Sequence, residues 1–264
     1  MDLGFSGATA LVVGGTRGVG LATALCLAGE GCRLGIVGRD AAQVKETGRR
    51  LAEAGSPEVL ELQADVGSGE ELDAVFTSIR SRWSALNVLI NTVGPTGAGR
   101  FEDLDDASWK DAFDLGTIGA VRCTRAALPL LRGAAWARIV NVTAMSVQHQ
   151  TPYLVSYTAA KSALLSVTKN LARSLAPEGI LVNAVAPGPI LTDWARPALA
   201  AAGVDSRDPV AAFEALAQDH RMSADLGRFG LPEEVAAVIA FCASRRNGYM
   251  TGAHLNVDGG SDFL

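Results

Sequence analysis

Two side chains past the middle of the sequence, Tyr157 and Lys161, have the types and spacing of a proton-transfer pair. They are four residues apart in a segment of helical period, so they project from the same face of a helix. A free tyrosine has a pKa of about 10 and needs a nearby positive charge to exchange protons near neutral pH. The ammonium group of Lys161 can supply that charge. The pair therefore predicts that Tyr157 acts as a general acid or base, with Lys161 as its electrostatic support.

A glycine-rich turn near the N-terminus has the composition of a phosphate-binding loop. An apolar run ends at Val13, the turn follows at residues 14–20, and helical periodicity begins after it. Glycines let the backbone turn tightly and approach a pyrophosphate, and the helix N-terminus offers N–H groups and a positive dipole end. The residues predicted to hold a dinucleotide here are Gly14, Thr16, Arg17, Gly18, Val19 and Gly20.

Short β-rich apolar runs alternate with longer segments of helical period through most of the chain. This alternation predicts an α/β fold: a doubly wound, parallel, seven-stranded sheet with helices on both faces, in a single domain over residues 1–264. The predicted strands are Ala8–Val13, Arg33–Val37, Val59–Gln63, Asn87–Ile90, Arg138–Val142, Leu181–Val185 and His254–Val257. The predicted helices are Gly18–Ala28, Ala41–Ala54, Gly69–Trp83, Ala107–Leu131, Ser156–Ala176 and Pro232–Ser244.

Residues 189–230 interrupt this alternation. They follow a predicted strand but contain Pro197, Gly203 and Pro209 beside a polar, helix-like stretch at Val210–His220. Long insertions of this kind in compact domains are usually lids or binding loops. We predict a substrate lid at about 189–230, with a mobile surface excursion as the alternative.

Composition and charge exclude several classes of protein. The 264 residues are 48% hydrophobic and 19% charged, which is typical of a folded protein, and the net charge of −5 gives no basic field for nucleic acid. The sequence shows no signal peptide, no run as long as a membrane span and no C-x-x-C pair among its four cysteines. We predict a cytoplasmic protein with a small-molecule partner. His220 and His254 lack metal-ligand spacing with Cys, Asp or Glu, so we predict no metal.

Several motifs occur in the order of one enzyme family. Gly14, Gly18 and Gly20 have the spacing G-x-x-x-G-x-G rather than the G-x-G-x-x-G of other dinucleotide folds. The later motifs are Asp65-Val66, Asn91-Thr92-Val93-Gly94, Tyr157-Thr158-Ala159-Ala160-Lys161, Pro187-Gly188 with Ile190 and Thr192, and Asn256-Val257-Asp258-Gly259-Gly260. Over nearly its whole length the chain resembles the short-chain dehydrogenase/reductase family, and within it the NADP-dependent carbonyl and 3-oxoacyl reductases.

The resemblance implies a role for each motif. In the family's mechanism the tyrosine protonates the carbonyl oxygen as hydride arrives, and the lysine also holds the nicotinamide ribose. Contact with adenine follows the third strand, and the loop after the sixth strand holds the nicotinamide amide. The residues that the resemblance assigns to the cofactor are Asp65, Val66, Asn91, Gly94, Tyr157, Lys161, Pro187, Gly188, Ile190 and Thr192.

The choice of nicotinamide cofactor depends on the end of the second strand. An acidic side chain there would accept from the ribose 2′-hydroxyl and repel a 2′-phosphate, but the sequence has Gly38 followed by Arg39. A guanidinium suits a phosphate, and Arg17 can supply a second one. We therefore predict NADP(H), with NAD(H) less favoured. The alternatives are that Asp40 pairs with Arg39, or that the arginines are solvated loop charges.

Two positions depart from the family's active site. Thirteen residues before the tyrosine, where the family has a serine, stands Ala144, and the asparagine position falls at Gly116. A local shift would bring Ser146 or Thr143 into the serine's role, and His149 is a further donor; of these we take Ser146 as the catalytic candidate. A missing preorganised donor to a developing oxyanion lowers the rate by about 10²–10³-fold.

The sequence therefore predicts an NADPH-dependent carbonyl reductase, or the reverse alcohol dehydrogenase, acting on a small molecule. Reduction of an activated C=C bond is one alternative, and a catalytically impaired dinucleotide-binding sensor or partner protein is another. Predicted substrate contacts are His149, Tyr153 and Trp194. The resemblance also implies a homodimer or homotetramer, because the helices at Ala107–Leu131 and Ser156–Ala176 commonly pair across subunits in the family.

Overall fold

The computed structural model describes residues 2–95, 99–220 and 222–261, without the side chains of 218–220. Its strands form one parallel sheet in the order β3-β2-β1-β4-β5-β6-β7. The strands are β1 Thr9–Val13, β2 Arg33–Gly38, β3 Val59–Gln63, β4 Val88–Asn91, β5 Ala137–Val142, β6 Ile180–Pro187 and β7 His254–Val257. The helices are α1 Gly18–Gly29, α2 Ala41–Glu53, α3 Gly69–Arg82, α4 Asp106–Phe113, α5 Gly119–Arg132, α6 Val155–Leu175, α7 Arg196–Ala201, α8 Pro209–His220 and α9 Pro232–Ala243. The predicted α/β fold with a seven-stranded parallel sheet is confirmed.

Burial explains why the central strands are almost continuously apolar. Every residue of β1, β4 and β5 is buried, whereas the edge strands β3 and β7 are partly exposed. A parallel strand that is covered by helices on both faces has no face left for solvent. Two apolar cores result, one on each face of the sheet. Among the described residues, no helix is long and apolar enough to cross a membrane.

Side-chain caps fix where three helices begin. Asp40 accepts a hydrogen bond from Gln43 N at 3.0 Å at the start of α2. Ser68 and Asp105 cap α3 and α4 in the same way. Each cap satisfies an N–H group that has no partner inside the helix.

One predicted helix is divided. The predicted helix over Ala107–Leu131 is present, but a π-helical turn at Asp114–Ile118, which was not predicted, divides it into α4 and α5. Such turns insert an extra residue and frequently lie at functional sites. This one carries Gly116, which packs against α6 and Pro95.

Residues 189–230 form a packed unit with their own small core. The predicted helix at Val210–His220 is present as α8, and α7 was missed because it is short. The segment is joined at its base, since Gly230 N donates to Pro189 O at 2.9 Å and Leu191 N to Gly230 O at 2.9 Å. The side chains of its core are Ala195, Leu199, Ala212, Phe213, Leu216 and Phe229.

Candidate active site

The glycine turn and the loop after β4 lie against each other where the strand order reverses, between β1 and β4. Gly14 has a φ of +84°, a backbone conformation that residues with a side chain rarely adopt. Its N–H donates to Val37 O at 2.9 Å. A Cβ at Gly14 would lie 2.6 Å from Thr92 Oγ1, which itself donates to Val13 O at 2.8 Å. Ligands of doubly wound folds bind in the crevice at such a reversal. The turn is therefore held in place by the neighbouring loop.

The loop after β6 reaches the same crevice. Gly18 begins α1 with a φ of +52°, and the methyl group of Thr192 lies 3.4 Å from where its Cβ would be. Gly188 packs so closely on Asp258 that a Cβ there would be 2.6 Å from the Asp258 Cα. The glycine turn and the loop at Pro187–Thr192, predicted separately from sequence, thus lie side by side.

The side chains of Thr16 and Val44 fill the space at Gly38, the last residue of β2. A Cβ at Gly38 would lie 2.6 Å from Thr16 Cγ2. This contact places Arg17, which follows Thr16, at the same end of the sheet as Arg39, which follows Gly38. Both arginines are exposed.

Arg39 has an acidic neighbour other than the one considered from sequence. Asp40 caps α2, and the ion pair of Arg39 is with Asp65 at 3.9 Å. The two side chains are 63% and 39% exposed, so solvent screens this pair strongly. The guanidinium remains available to a stronger anion.

Asn91 and Val66 face the interior rather than the crevice. Asn91 is buried and donates from Nδ2 to Asn141 Oδ1 at 2.8 Å, while its own Oδ1 has no hydrogen-bond partner among the described residues. Asn141 in turn donates to Thr168 Oγ1 at 2.9 Å. Val66 packs against Gly119 at the start of α5, where a Cβ would be 2.8 Å from its methyl group. Both side chains support the walls of the predicted cofactor site from behind.

Lys161 is held where the ends of β4 and β5 meet. Its ammonium group donates to Val142 O at 2.8 Å and to Val93 O at 3.2 Å, and its side chain is buried. A Cβ at Gly94 would be 2.9 Å from Nζ, so glycine is the residue that fits there. The predicted neighbours Gly94 and Lys161 are therefore in contact.

Burial sets the protonation states of the catalytic pair. It raises the pKa of Tyr157 to about 12 and lowers the pKa of Lys161 to about 8. From the sequence we predicted that the charge of Lys161 lowers the pKa of Tyr157 toward neutral pH. In this structure burial has the larger effect, and the pKa of Tyr157 is raised instead. Tyr157 is therefore protonated at neutral pH, and Lys161 is mostly charged there but loses its charge as the pH rises through about 8.

The region of the missing serine contains two buried hydroxyl groups, each with a protein partner. Ala144 is buried immediately before a short 3-10 turn at Met145–Val147. Ser146 Oγ lies 2.9 Å from Thr158 Oγ1, in the packing against α6. Thr143 Oγ1 donates to Val185 O at 3.2 Å and lies 2.9 Å from His254 Nε2. The structure thus places both hydroxyl groups in internal contacts.

The asparagine position has no space for a larger side chain. A Cβ at Gly116 would lie 2.9 Å from Ala160 Cβ and 3.1 Å from Pro95 Cδ. Close helix packing fills the position that the family gives to a side chain. Restoring an asparagine there requires α4 or α6 to move.

Of the predicted substrate residues, His149 and Tyr153 lie on the loop between β5 and α6, and Trp194 lies on the segment that follows β6. The hydroxyl of Tyr153 accepts from Arg100 Nη2 at 2.9 Å, and the guanidinium lies 5.2 Å from the centre of the Tyr153 ring. Trp194 is 48% exposed and packs edge to face on Phe229, with ring centres 6.1 Å apart. His149 is partly buried on the turn that follows Ser146, and the side chain of His220 lies outside the described residues. Sequence reasoning missed Arg100, because nothing in its local pattern indicates the contact with Tyr153.

Comparison with known proteins agrees with this geometry. The profile of a family described as "Enoyl-(Acyl carrier protein) reductase" matches residues 13–262. The chain is 33% identical over 252 residues to a 3-oxoacyl-[acyl-carrier-protein] reductase of Synechocystis, covering 95% of both chains. The chain belongs to the short-chain dehydrogenase/reductase family. It is therefore an oxidoreductase by family.

Two solved structures of family members resemble this one over almost their whole length. One is L-sorbose reductase from Gluconobacter frateurii complexed with NADPH and L-sorbose, with a TM-score of 0.91, 30% identity and complete coverage of both chains. The other is the Pseudomonas aeruginosa RhlG/NADP complex, with a TM-score of 0.87, 30% identity and coverage of 99% and 98%. The cofactor predicted from sequence, NADP(H), is the one found in these structural relatives.

Proposed function

We propose that this short-chain dehydrogenase/reductase uses NADP(H) to reduce a carbonyl group of a small molecule to an alcohol, or catalyses the reverse oxidation. The observation that carries the proposal is the position of Tyr157 one helical turn from Lys161, which is anchored to the ends of β4 and β5. The names of the sequence and structural relatives support a carbonyl substrate.

The residues at the ends of β1 and β2 fit NADP(H). Where an acid would repel the 2′-phosphate there is Gly38, with the uncharged side chains of Thr16 and Val44 against it. The exposed guanidinium groups of Arg17 and Arg39 suit a phosphate by charge and by forked geometry. The N–H groups at the N-terminus of α1, which begins at Gly18, would hold the pyrophosphate. When bound, this cofactor supplies the hydride.

The protein's own part in the reaction is proton transfer. Tyr157 donates its hydroxyl proton to the substrate oxygen as negative charge develops on that atom. An ammonium group has three N–H donors, and Lys161 uses two of them on Val142 O and Val93 O. The third is left for a ribose hydroxyl of the cofactor, and the positive charge stabilises the tyrosinate that forms.

A second function, reduction of an activated C=C bond, is favoured by Ala144. Without a hydroxyl at that position, Tyr157 is the one donor of the family's usual pair that remains. In carbonyl reduction the developing charge is concentrated on one oxygen, whereas in reduction of an enone it is spread over an enolate. A single donor therefore limits carbonyl reduction more than C=C reduction.

A panel of substrates distinguishes these functions. We expect the purified protein to oxidise NADPH in the presence of small ketones, 3-oxoesters or keto sugars, measured by loss of NADPH absorbance and identification of the alcohol. Saturated ketone products from enones would favour the second function. NADPH binding without turnover on any member of the panel would instead indicate a catalytically impaired binding protein.

Adding a hydroxyl group at position 144 tests the hypothesis that Ala144 occupies the serine position of the family. Ala144→Ser should raise kcat/KM on small ketones about tenfold, less than the 10²–10³-fold of a preorganised donor. Ala144→Gly, which changes the same position without adding a hydroxyl, is the matched control. If Ser146→Ala alone eliminates activity and Ala144→Ser changes nothing, Ser146 has the serine's role.

Three further predictions concern the lid, the assembly and the location of the protein. We propose that the packed unit at 189–230 covers the substrate as a lid, because Trp194 and Thr192 lie at its start and Thr192 contacts the glycine turn. Assembly into a homodimer or homotetramer and a cytoplasmic location stay predictions.

A further inference from the structure

We propose that Thr117 is a positioning residue for catalysis, which holds helix α6 through the backbone carbonyl of Ala160. This inference rests on the proposed function, because it concerns the residues that would transfer the proton. It adds a contribution from the π-helical turn at Asp114–Ile118 that the motifs of the sequence do not indicate.

The contact is short and fully buried. Thr117 Oγ1 donates to Ala160 O at 2.6 Å, and Thr117 and Ala160 are 4% and 0% exposed. Ala160 lies on α6 between Tyr157 and Lys161, directly before the lysine. This hydrogen bond therefore holds α6 at the turn that carries both Tyr157 and Lys161.

The π-helical turn makes this contact possible. Gly116 has no side chain to separate the helices, and a Cβ there would lie 2.9 Å from Ala160 Cβ. The extra residue of the turn lets the backbone at 116 approach α6 while the next side chain points its hydroxyl at the carbonyl. The loss of the family's asparagine side chain and the contact of Thr117 are thus parts of one arrangement.

A small movement of α6 would affect proton transfer by Tyr157 and Lys161. The ammonium group of Lys161 depends on its two bonds to Val142 O and Val93 O, which belong to the sheet and its loop rather than to α6. If α6 shifts, these bonds lengthen and water enters beside Lys161. Better hydration favours the charged forms, so the pKa of Lys161 rises from about 8 and the pKa of Tyr157 falls from about 12.

The test removes the hydroxyl and keeps the shape. Thr117→Val should lower kcat for carbonyl reduction by about tenfold or more, since misplacement of a reacting group by about 1 Å is worth up to about 10²-fold. The KM for NADPH should change less than kcat, because the predicted contacts with the pyrophosphate and the 2′-phosphate do not involve α6. Thr117→Ser keeps the hydroxyl and should restore most of the lost kcat. Thr117→Ala serves as a second hydroxyl-free variant should valine be too crowded to fold.

Thr9→Val is the matched control. Thr9 is also a buried threonine whose hydroxyl donates to a backbone carbonyl, that of Ala85 at 2.9 Å, and it is the first residue of β1, at the end of the strand away from the glycine turn. Loss of this hydroxyl should reduce thermal stability, with kcat nearly unchanged. An equal fall of kcat in Thr9→Val would overturn the proposal, because the effect would then come from a general loss of stability.

A second measurement does not need turnover. The ionisation of Lys161 is followed through its pKa of about 8 by the NMR shift of its side-chain Cε, assigned by comparison with Lys161→Met. We expect a higher pKa of Lys161 in Thr117→Val, and the wild-type value in Thr117→Ser and Thr9→Val. An unchanged titration in Thr117→Val would contradict the positioning role. If the wild-type protein reduces no substrate, the proposed function fails, while this titration still decides the role of Thr117.

Discussion

Tyr157→Phe is expected to lower kcat for carbonyl reduction by about 10³-fold, within the range that a positioned general acid contributes. The change deletes one hydroxyl and leaves the ring, so the packing of α6 and the hydrogen bonds of Lys161 should persist. NADPH affinity, measured by fluorescence titration, should therefore change by no more than a few fold. If Tyr157 is the proton donor, kcat must fall while the affinity for NADPH stays nearly unchanged.

The control for this variant is Tyr249→Phe. Tyr249 is 99% exposed and lies before β7, so deletion of its hydroxyl should leave the kinetics unchanged. Turnover near the wild-type rate in Tyr157→Phe would remove this tyrosine from the mechanism. Loss of cofactor binding together with turnover would point to a role in binding instead.

Arg39→Asp is expected to weaken NADPH binding about 10²-fold, which corresponds to the roughly 3 kcal/mol lost when one member of a charged, hydrogen-bonded pair is removed. The new carboxylate would lie near the 2′-phosphate and near Asp65, the present partner of Arg39. NADH lacks that phosphate, so its affinity should change by a few fold at most. Fluorescence titration with both nucleotides measures the two constants.

Lys45→Asp is the matched control for the change in net charge. Lys45 is an exposed residue of α2, on the groove that this helix forms with β3. It should leave the ratio of the two affinities unchanged. If Arg39→Asp lowers the affinities for NADPH and NADH equally, Arg39 does not bind the 2′-phosphate.

The sheet could be predicted because its strands and turns are indicated by residues that are close together in the sequence. Apolar runs such as the one at Thr9–Val13 have to be buried on both faces, and a turn with four glycines after that strand favours a close approach of backbone. Lys161 was predicted from its spacing to Tyr157, and the structure adds the two carbonyl groups that hold it.

Other features depend on contacts that are distant in sequence. The π-helical turn has no local signal, because residues 114–118 read as ordinary helix and the close contact of Gly116 with Ala160 appears only after folding. Asn91 was assigned to the cofactor through its motif, but its side chain turns toward Asn141. The small core around Phe213 was hidden because its apolar residues are widely spaced along the segment.

The position of β1 in the sheet has a consequence for the order of folding. β1 lies between β2, which follows it closely in the chain, and β4, which pairs with it only after two further strands and three helices have been made. Closing so long a loop carries a large entropic barrier, and pairings of this kind form slowly. The crevice for the dinucleotide opens along this seam, so it is complete only when the late pairing has formed. A ligand that binds there stabilises the folded chain by mass action, and it does so at the strand pairing that is hardest to make.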